Sequence, residues 1–371
     1  MGKKYQICQK TIMDTSDPNI SFDAQGISNH VNDFEVLVKR RIPNSKFVQS
    51  LLIKKIQAIK RAGEGKEYDC IIGVSGGVDS TYTAYVVKNL GLRPLAVHLD
   101  NGWNSELSVS NIEKVLRTLG IDLYTYVLDW EEFKDLQLSF LKASTPDGEV
   151  PTDHAIWGCL YKIANKYDIK YIISGTNVKT EGILAKSWAQ GHLDWKYLKN
   201  IHRLFGSTKL QTFPSLTFIK LFYYIVLRRI NKFNLLDYIE YNKSEAMRLL
   251  TNELGWIYYG GKHYESIYTR FFQGYILPKK FNIDKRRGHL STLICTGEIT
   301  RNEALELISK DPYPNEQLKI EDKEYVIKKL GITNEEFETI MKSPIKKYED
   351  YPNNSSFMLK LSKLYNKFFY S

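Results

Sequence analysis

From about residue 69 to residue 174, short apolar runs alternate with longer stretches of helical periodicity. Asp69 to Val74 is a nearly unbroken apolar run, the pattern of a strand buried on both faces. A glycine-rich turn follows it, then helical spacing from Asp79 to about Leu90. The cycle repeats as a strand over Pro94 to Leu99 and a helix from about Ser105 to Leu119, stopped by Gly120. A third strand covers Leu123 to Leu128, and helices follow from Trp130 to about Lys142 and from Thr152 to Tyr167. The strand Tyr171 to Ser174 closes the series. Strand and helix in alternation predict an α/β domain built on a parallel sheet covered on both faces.

Beyond about residue 190 the apolar positions recur at helical spacing instead. Three helix starts carry capping-box spacing: Asn242 with Glu245, Thr300 with Glu303, and Thr333 with Glu336. A polar break, Gly260-Gly261-Lys262-His263, interrupts them. The pattern divides the chain into an N-terminal segment (1–60), the α/β domain (61–190), a mostly helical domain (191–345) and a C-terminal tail (346–371).

Composition fits a soluble globular protein, with 43% hydrophobic and 25% charged residues over 371 positions. Met1 to Lys10 is polar with no apolar run after it, so a secretory signal is not expected and a cytoplasmic location is. The most apolar stretch, Leu221 to Leu227, is far short of the roughly 20 residues of a membrane-spanning helix. A net charge of +10 suits an anionic partner: nucleic acid, a nucleotide-sugar or a membrane surface. Part of it lies between Lys39 and Arg61, where Val48, Leu52, Ile56 and Ile59 recur at helical spacing, which reads as an amphipathic helix with a basic outer face. The four cysteines, Cys8, Cys70, Cys159 and Cys295, form no C-x-x-C pair.

The string with the most specific chemistry is Ser75-Gly76-Gly77-Val78-Asp79-Ser80, between the first strand and its helix. Two glycines let the backbone turn sharply and bring N–H groups close to an anion. The helix after the turn adds unpaired N–H groups and the positive end of its dipole. Ser75 and Ser80 can donate to phosphate oxygens, and Asp79 can hold magnesium. G-x-x-x-x-G-K-[ST] is absent, so this is not a Walker loop.

This string resembles the signature of the PP-loop, or N-type, ATP pyrophosphatases. The resemblance implies a Rossmann-like fold of the adenine nucleotide alpha hydrolase type, with ATP along the carboxyl ends of the strands. It implies nucleoside contacts at Asp100 and at Gly175, Thr176 and Asn177, both strand ends, where an ordinary turn is the plainer reading. Cys159 lacks the G-x-C-x-G context of a triad glutaminase and Cys8 is not N-terminal, so the chain is not expected to make its own ammonia. The paired cysteines common in tRNA thiolases are missing.

The wider sequence is similar to the N-acetyl sugar amidotransferases of surface polysaccharide biosynthesis. The residues carrying this are Met13 to Pro18 with Phe22, Asp23 and Gly26, the PP-loop, Pro151 to His154, and a C-terminal run. That run takes in Gly260 to Ser266, Thr269 to Phe271, Gln273 to Pro278, Asp284 to Arg287 and Thr300-Arg301, so the likeness spans nearly the whole chain. It implies that ATP adenylates the carbonyl oxygen of an acetamido group on a sugar or nucleotide-sugar. Ammonia from a partner glutaminase, with a cyclase-like subunit, then displaces AMP to leave an acetamidino group. Products of this kind belong to lipopolysaccharide, O-antigen, capsule or nonulosonic acid pathways.

On this resemblance Asp79, Lys262, His263, Glu265 and Arg286 are the catalytic candidates, His263 and Glu265 for proton transfer. Asp153, His154, Arg270, Lys285 and Arg287 are the candidates for binding substrate, although ion pairs and helix caps are the plain alternatives. Relatives often carry two C-x-x-C pairs near the N-terminus, a zinc-ribbon-like spacing. Here those positions read Cys8, Thr11, Ser28 and Val31, so no zinc is expected and the segment must fold by packing alone or on a partner. Two other readings remain: a tRNA-modifying PP-loop enzyme, which the C-terminal run disfavours, and a non-catalytic ATP-binding scaffold.

Overall fold

The computed structural model describes residues 4–42, 45–261 and 264–355, apart from the side chains of Ser45 and Lys46. Lys262, His263 and most of the expected tail lie outside the described residues. Helices α1 (Asn29–Arg41) and α2 (Ser45–Ala62) lead into β1 (Cys70–Gly73). Next come α3 (Val78–Asn89), β2 (Pro94–Asp100), α4 (Glu106–Leu119), β3 (Asp122–Val127), α5 (Trp130–Ala143), α6 (Val150–Lys166) and β4 (Tyr171–Ser174). Every one of these from β1 onward lies within two residues of its predicted bounds. Gly120 ends α4 at φ 58°, the left-handed cap expected of it.

With a later strand, β5 (Asn231–Asn234), β1 to β4 form a parallel sheet in the order β3-β2-β1-β4-β5. Alternation along β1 sorts its side chains between two cores. Cys70 and Ile72 face α2, α3 and α4, whereas Ile71 faces α6. The basic stretch forms the amphipathic helix expected of it: Ile56 and Ile59 of α2 are buried in the sheet core while Lys54, Lys55, Lys60 and Arg61 are exposed.

After β4 come α7 (Val178–Glu181), α8 (Trp195–Phe205) and α9 (Phe218–Phe222), the last continuing as a wider π-type helix to Leu227. Then β5 (Asn231–Asn234) adds the fifth strand. This strand falls inside the stretch expected to be mostly helical. Its sequence, Asn-Lys-Phe-Asn, buries only Phe233, so it carries neither an apolar run nor an alternation long enough to read. An edge strand is specified by what it pairs with, not by its own pattern.

The remainder is helical: α10 (Lys243–Leu254), α11 (Ile267–Phe271) with a π-type continuation to Phe281, α12 (Arg286–Thr296), α13 (Arg301–Ser309), α14 (Glu316–Leu330) and α15 (Asn334–Lys342). Asn242 caps α10, and Thr300 and Thr333 form complete capping boxes with Glu303 and Glu336. Of these, α11, α14 and α15 share one core with the strand-end loops and α5, whereas α10 packs with Val78 and Val115. Trp103 and Phe133 pack in the same cluster as Phe271, Phe272, Val326 and Phe337.

The N-terminal segment folds against the C-terminal helices of its own chain. Ile12 is buried among Leu290 and Ala304, and its N–H donates to Ser291 Oγ at 3.2 Å. Arg301 donates to the carbonyls of Cys8 and Thr11, and Arg287 pairs with Asp14 at 3.0 Å. Cys8 Sγ accepts the N–H groups of Thr11 and Ser28 at 3.4 and 3.2 Å. The four positions read as degenerate ligands are all buried. No group of three or more His, Cys, Asp or Glu that could hold a metal occurs among the described residues.

Candidate nucleotide site and the cleft beside it

The loop Ser75 to Ser80 joins the end of β1 to α3, at the carboxyl edge of the sheet, next to the point where strand order reverses between β1 and β4. Gly76 has φ +79°, and a Cβ there would stand 2.6 Å from the Ser108 carbonyl oxygen. Gly175, after β4, comes so close that its Cβ would lie 3.0 Å from the backbone of Asp79. Both positions need glycine because backbone meets backbone, and together they shape a narrow cradle at the start of α3. Ser75 Oγ lies 3.2 Å from Ser80 Oγ, and Ser80 Oγ donates to the Gly77 carbonyl at 3.1 Å. The N-terminal end of α3, with the positive end of its dipole, begins at this loop, an arrangement that suits an anionic phosphate chain.

Residues from the helical region close over the loop. Trp256 Nε1 donates to the Gly76 carbonyl at 2.9 Å, and the Val78 N–H donates to the Tyr259 hydroxyl at 3.3 Å. Tyr241 donates its hydroxyl hydrogen to Asp79 Oδ1. Burial and the Asp79 charge push the Tyr241 hydroxyl pKa upward, so it stays a donor. A Cβ on Gly77 would lie 3.4 Å from Glu265 Oε1, which brings the Glu265 carboxylate to the loop. Tyr241, Trp256 and Tyr259 were not foreseen from the sequence. The aromatic run Trp256 to Tyr259, directly ahead of Gly260-Gly261, was the signal that could have pointed to two of them. Tyr241 also lines an open cavity of about 490 Å³ with Val178, Lys179, Glu245 and Glu298.

Asp100 Oδ1 accepts the Gly102 N–H at 2.9 Å, which fixes the turn after β2. Thr176 is exposed and bonds to Ser174 and, at 3.5 Å, to Asn234. Asn177 is buried and caps α7, accepting the Thr180 N–H at 2.8 Å. Of this strand end, Gly175 and Thr176 line the site while Asn177 builds it.

A second group of charges lies at the start of α6. Asp153 is exposed, and the charges of Asp147, Glu149 and Lys285 act on it. Enclosure and then the charges of Asp147 and Glu149 raise the Asp153 pKa to about 8. Burial raises Asp147 to about 6. Lys285 pairs with Glu149 at 3.3 Å, and Gln273 donates to the same carboxylate at 2.7 Å. Burial works against the Lys285 ammonium, but these carboxylates outweigh it and hold its pKa above the ordinary lysine value.

Other candidate site residues make contacts within the chain. His154 is fully buried, with Nδ1 2.9 Å from the His192 carbonyl and Nε2 accepting the Leu216 N–H at 2.8 Å. Arg270 makes a bidentate pair with buried Asp322 at 2.6 and 2.7 Å. Arg286 pairs with Asp284 and donates to the carbonyls of Ile308 and Lys310, and Arg287 holds Asp14 and Ile12. These side chains bind parts of their own chain. Their acidic and carbonyl partners lie as many as 275 residues away, beyond the reach of sequence spacing.

The family model for NAD synthase matches residues 57–189, and that for the C-terminal domain of WbpG-like LPS biosynthesis proteins matches residues 265–365. The tRNA-specific 2-thiouridylase MnmA 2 of Fusobacterium nucleatum subsp. nucleatum is 26% identical over 125 residues, 31% of this chain and 36% of that protein. The glutamine-hydrolysing GMP synthase of Pyrobaculum aerophilum is 45% identical over 56 residues, 15% of this chain and 11% of that protein. The solved structure of the NH3-dependent NAD synthetase from Campylobacter jejuni subsp. jejuni aligns over 81% of this chain and 98% of its own, at 12% identity and a TM-score of 0.30. The chain thus spans about a third of the thiouridylase and a smaller share of the GMP synthase. One chain thus joins a region matching the NAD synthase family model to the C-terminal domain of WbpG-like lipopolysaccharide-biosynthesis proteins.

Proposed function

We propose that this chain is an ATP-dependent amidotransferase that converts an acetamido group of a sugar or nucleotide-sugar to an acetamidino group. The observation that carries this reading is the closure of the PP-loop by Trp256 and Tyr259, shortly ahead of the WbpG-like region. ATP phosphates would lie on Ser75, Gly76, Gly77 and Ser80. Asp79 is the carboxylate that would hold magnesium, with phosphate oxygens and water completing its shell. The acetamido oxygen attacks the α-phosphorus and pyrophosphate leaves. Ammonia then adds to the imidate carbon, and the C–O bond breaks to release AMP. Glu265, beside the loop, is placed to accept a proton from the incoming nitrogen; Lys262 and His263 keep the roles proposed for them from sequence. Asp153 and Lys285 would meet the acceptor, and the cavity at Tyr241 has room for a sugar.

Thiouridylase similarity favours a second reading, in which the acceptor is tRNA. Both are tested by measuring pyrophosphate and AMP release with magnesium and ammonium, across acetamido nucleotide-sugars, nonulosonic acids and bulk tRNA. Stimulation by one sugar, with a product one mass unit lighter, supports the amidotransferase. Stimulation by tRNA alone overturns it. Complementation of a deletion strain by Asp79→Ala would show a scaffold instead of an enzyme.

A further inference from the structure

The helix from Phe218 to Leu227 is turned inside out. Leu221 and Tyr224 pack inward, Tyr224 stacked on Tyr161 of α6 at 5.6 Å. Ile219, Phe222, Tyr223, Ile225, Val226 and Leu227 face solvent, with Ile219 78% and Leu227 65% exposed. At helical spacing these six positions form one continuous outward arc, and its only side-chain polar atom is the Tyr223 hydroxyl. A soluble helix normally presents its charged face outward; a contiguous apolar face on this scale marks a docking surface.

The charge around it identifies the partner. Between residues 195 and 236 the sequence holds eight Lys or Arg and no Asp or Glu, against a net charge of +10 for the whole chain. Lys220 stands at the edge of the arc and Arg229 just beyond its end, both exposed. Lys199, Arg203, Lys209 and Lys232 of the same segment are exposed as well. We propose that the face built by residues 218–229 docks on an anionic lipid bilayer. The apolar arc would enter the boundary between headgroups and acyl chains, with the cations against the lipid phosphates. No described helix is long and apolar enough to cross a membrane, so the contact is peripheral. Aliphatic side chains offer nothing to a nucleic-acid backbone, and phosphate contacts alone would leave the arc in water.

The test is co-sedimentation of the full chain with vesicles of phosphatidylethanolamine containing about one third phosphatidylglycerol, against pure phosphatidylcholine vesicles. Binding to the anionic vesicles, released by high salt, is the expected result. Ile219→Ser with Leu227→Ser should weaken it at least ~10-fold. Lys220→Gln and Arg229→Gln should weaken it about fivefold each. Unchanged thermal unfolding and pyrophosphate release establish that the variants are folded. The proposal fails if the wild type does not bind, if it binds both vesicle types equally, or if the serine variant binds as well as the wild type. It also fails if the wild type ignores vesicles but self-associates, or retains RNA, in a manner the serine variant abolishes.

Discussion

His154 lies 5.5 Å from the Trp195 ring and 6.0 Å from the Phe213 ring, in one fixed tautomer. Its Nδ1–H donates to the His192 carbonyl, and its Nε2 lone pair accepts the Leu216 N–H. A proton added at Nε2 would remove that acceptor and leave a buried cation facing an N–H dipole. Burial accordingly lowers the pKa from 6.5 to about 4. With the folded value depressed, the unfolded chain takes up a proton that the native state refuses. The stabilisation is therefore complete above pH 6.5 and is lost as the pH falls toward 4. At 1.36 kcal/mol per unit, this amounts to about 3 kcal/mol. His154→Gln supplies the same donor and acceptor without titrating. Urea unfolding of both proteins, followed from pH 7.5 to 4.5, should show the wild type ahead at high pH and its advantage shrinking by roughly 2–3 kcal/mol. Depressed carboxylates such as Asp17 and Asp135 also lose stabilisation in acid, but they do so in both proteins and cancel in the difference. A gap that stays constant across the range refutes the reasoning, as would a change in substrate KM without any change in stability.

Gly76→Ala forces a Cβ to within 2.6 Å of a carbonyl oxygen at φ +79°, a backbone conformation that alone costs about 1–2 kcal/mol. Nucleotide affinity by calorimetry should fall at least ~10-fold, and wild-type affinity would show that the loop does not cradle phosphate. Tyr241→Phe removes the hydrogen bond that orients Asp79, so the magnesium concentration for half-maximal pyrophosphate release should rise roughly 10–100-fold. An unchanged magnesium dependence would exclude a positioning role. Arg270→Ala strands the buried Asp322 carboxylate with the Tyr313 hydroxyl at 2.9 Å, and unfolding free energy should drop by about 3–5 kcal/mol. Lost turnover at unchanged stability would return Arg270 to the substrate.

The chemistry-bearing loop was legible because its requirements are local. A strand, two glycines, a hydroxyl at each end and an acid on the first helical turn fall within a short stretch of chain, and Ser75, Gly77 and Ser80 bond to one another within it. Helix caps were legible for the same reason: Thr300 and Thr333 reach only three residues along. The cations of the C-terminal run were not. Arg270, Arg286 and Arg287 look like an anion-binding cluster in one dimension, and each has a partner in its own chain in three. β5 was missed because four residues, one of them buried, carry no periodic signal.

The sequence by itself determined the alternation that makes a parallel sheet, the place of the phosphate cradle, and the helical character of most of the chain beyond the sheet. These depend on backbone propensity and on side-chain spacing within one element. Only the tertiary structure decided that Tyr241, Trp256 and Tyr259 close on the loop from the helical region. It alone decided that the N-terminal segment is held by Arg287 and Arg301, and that the charges of Asp147 and Glu149 act on Asp153 and raise its pKa. Burial, pKa and pairing are properties of a group's surroundings, and for this chain those surroundings are contributed by residues scores to hundreds of positions away.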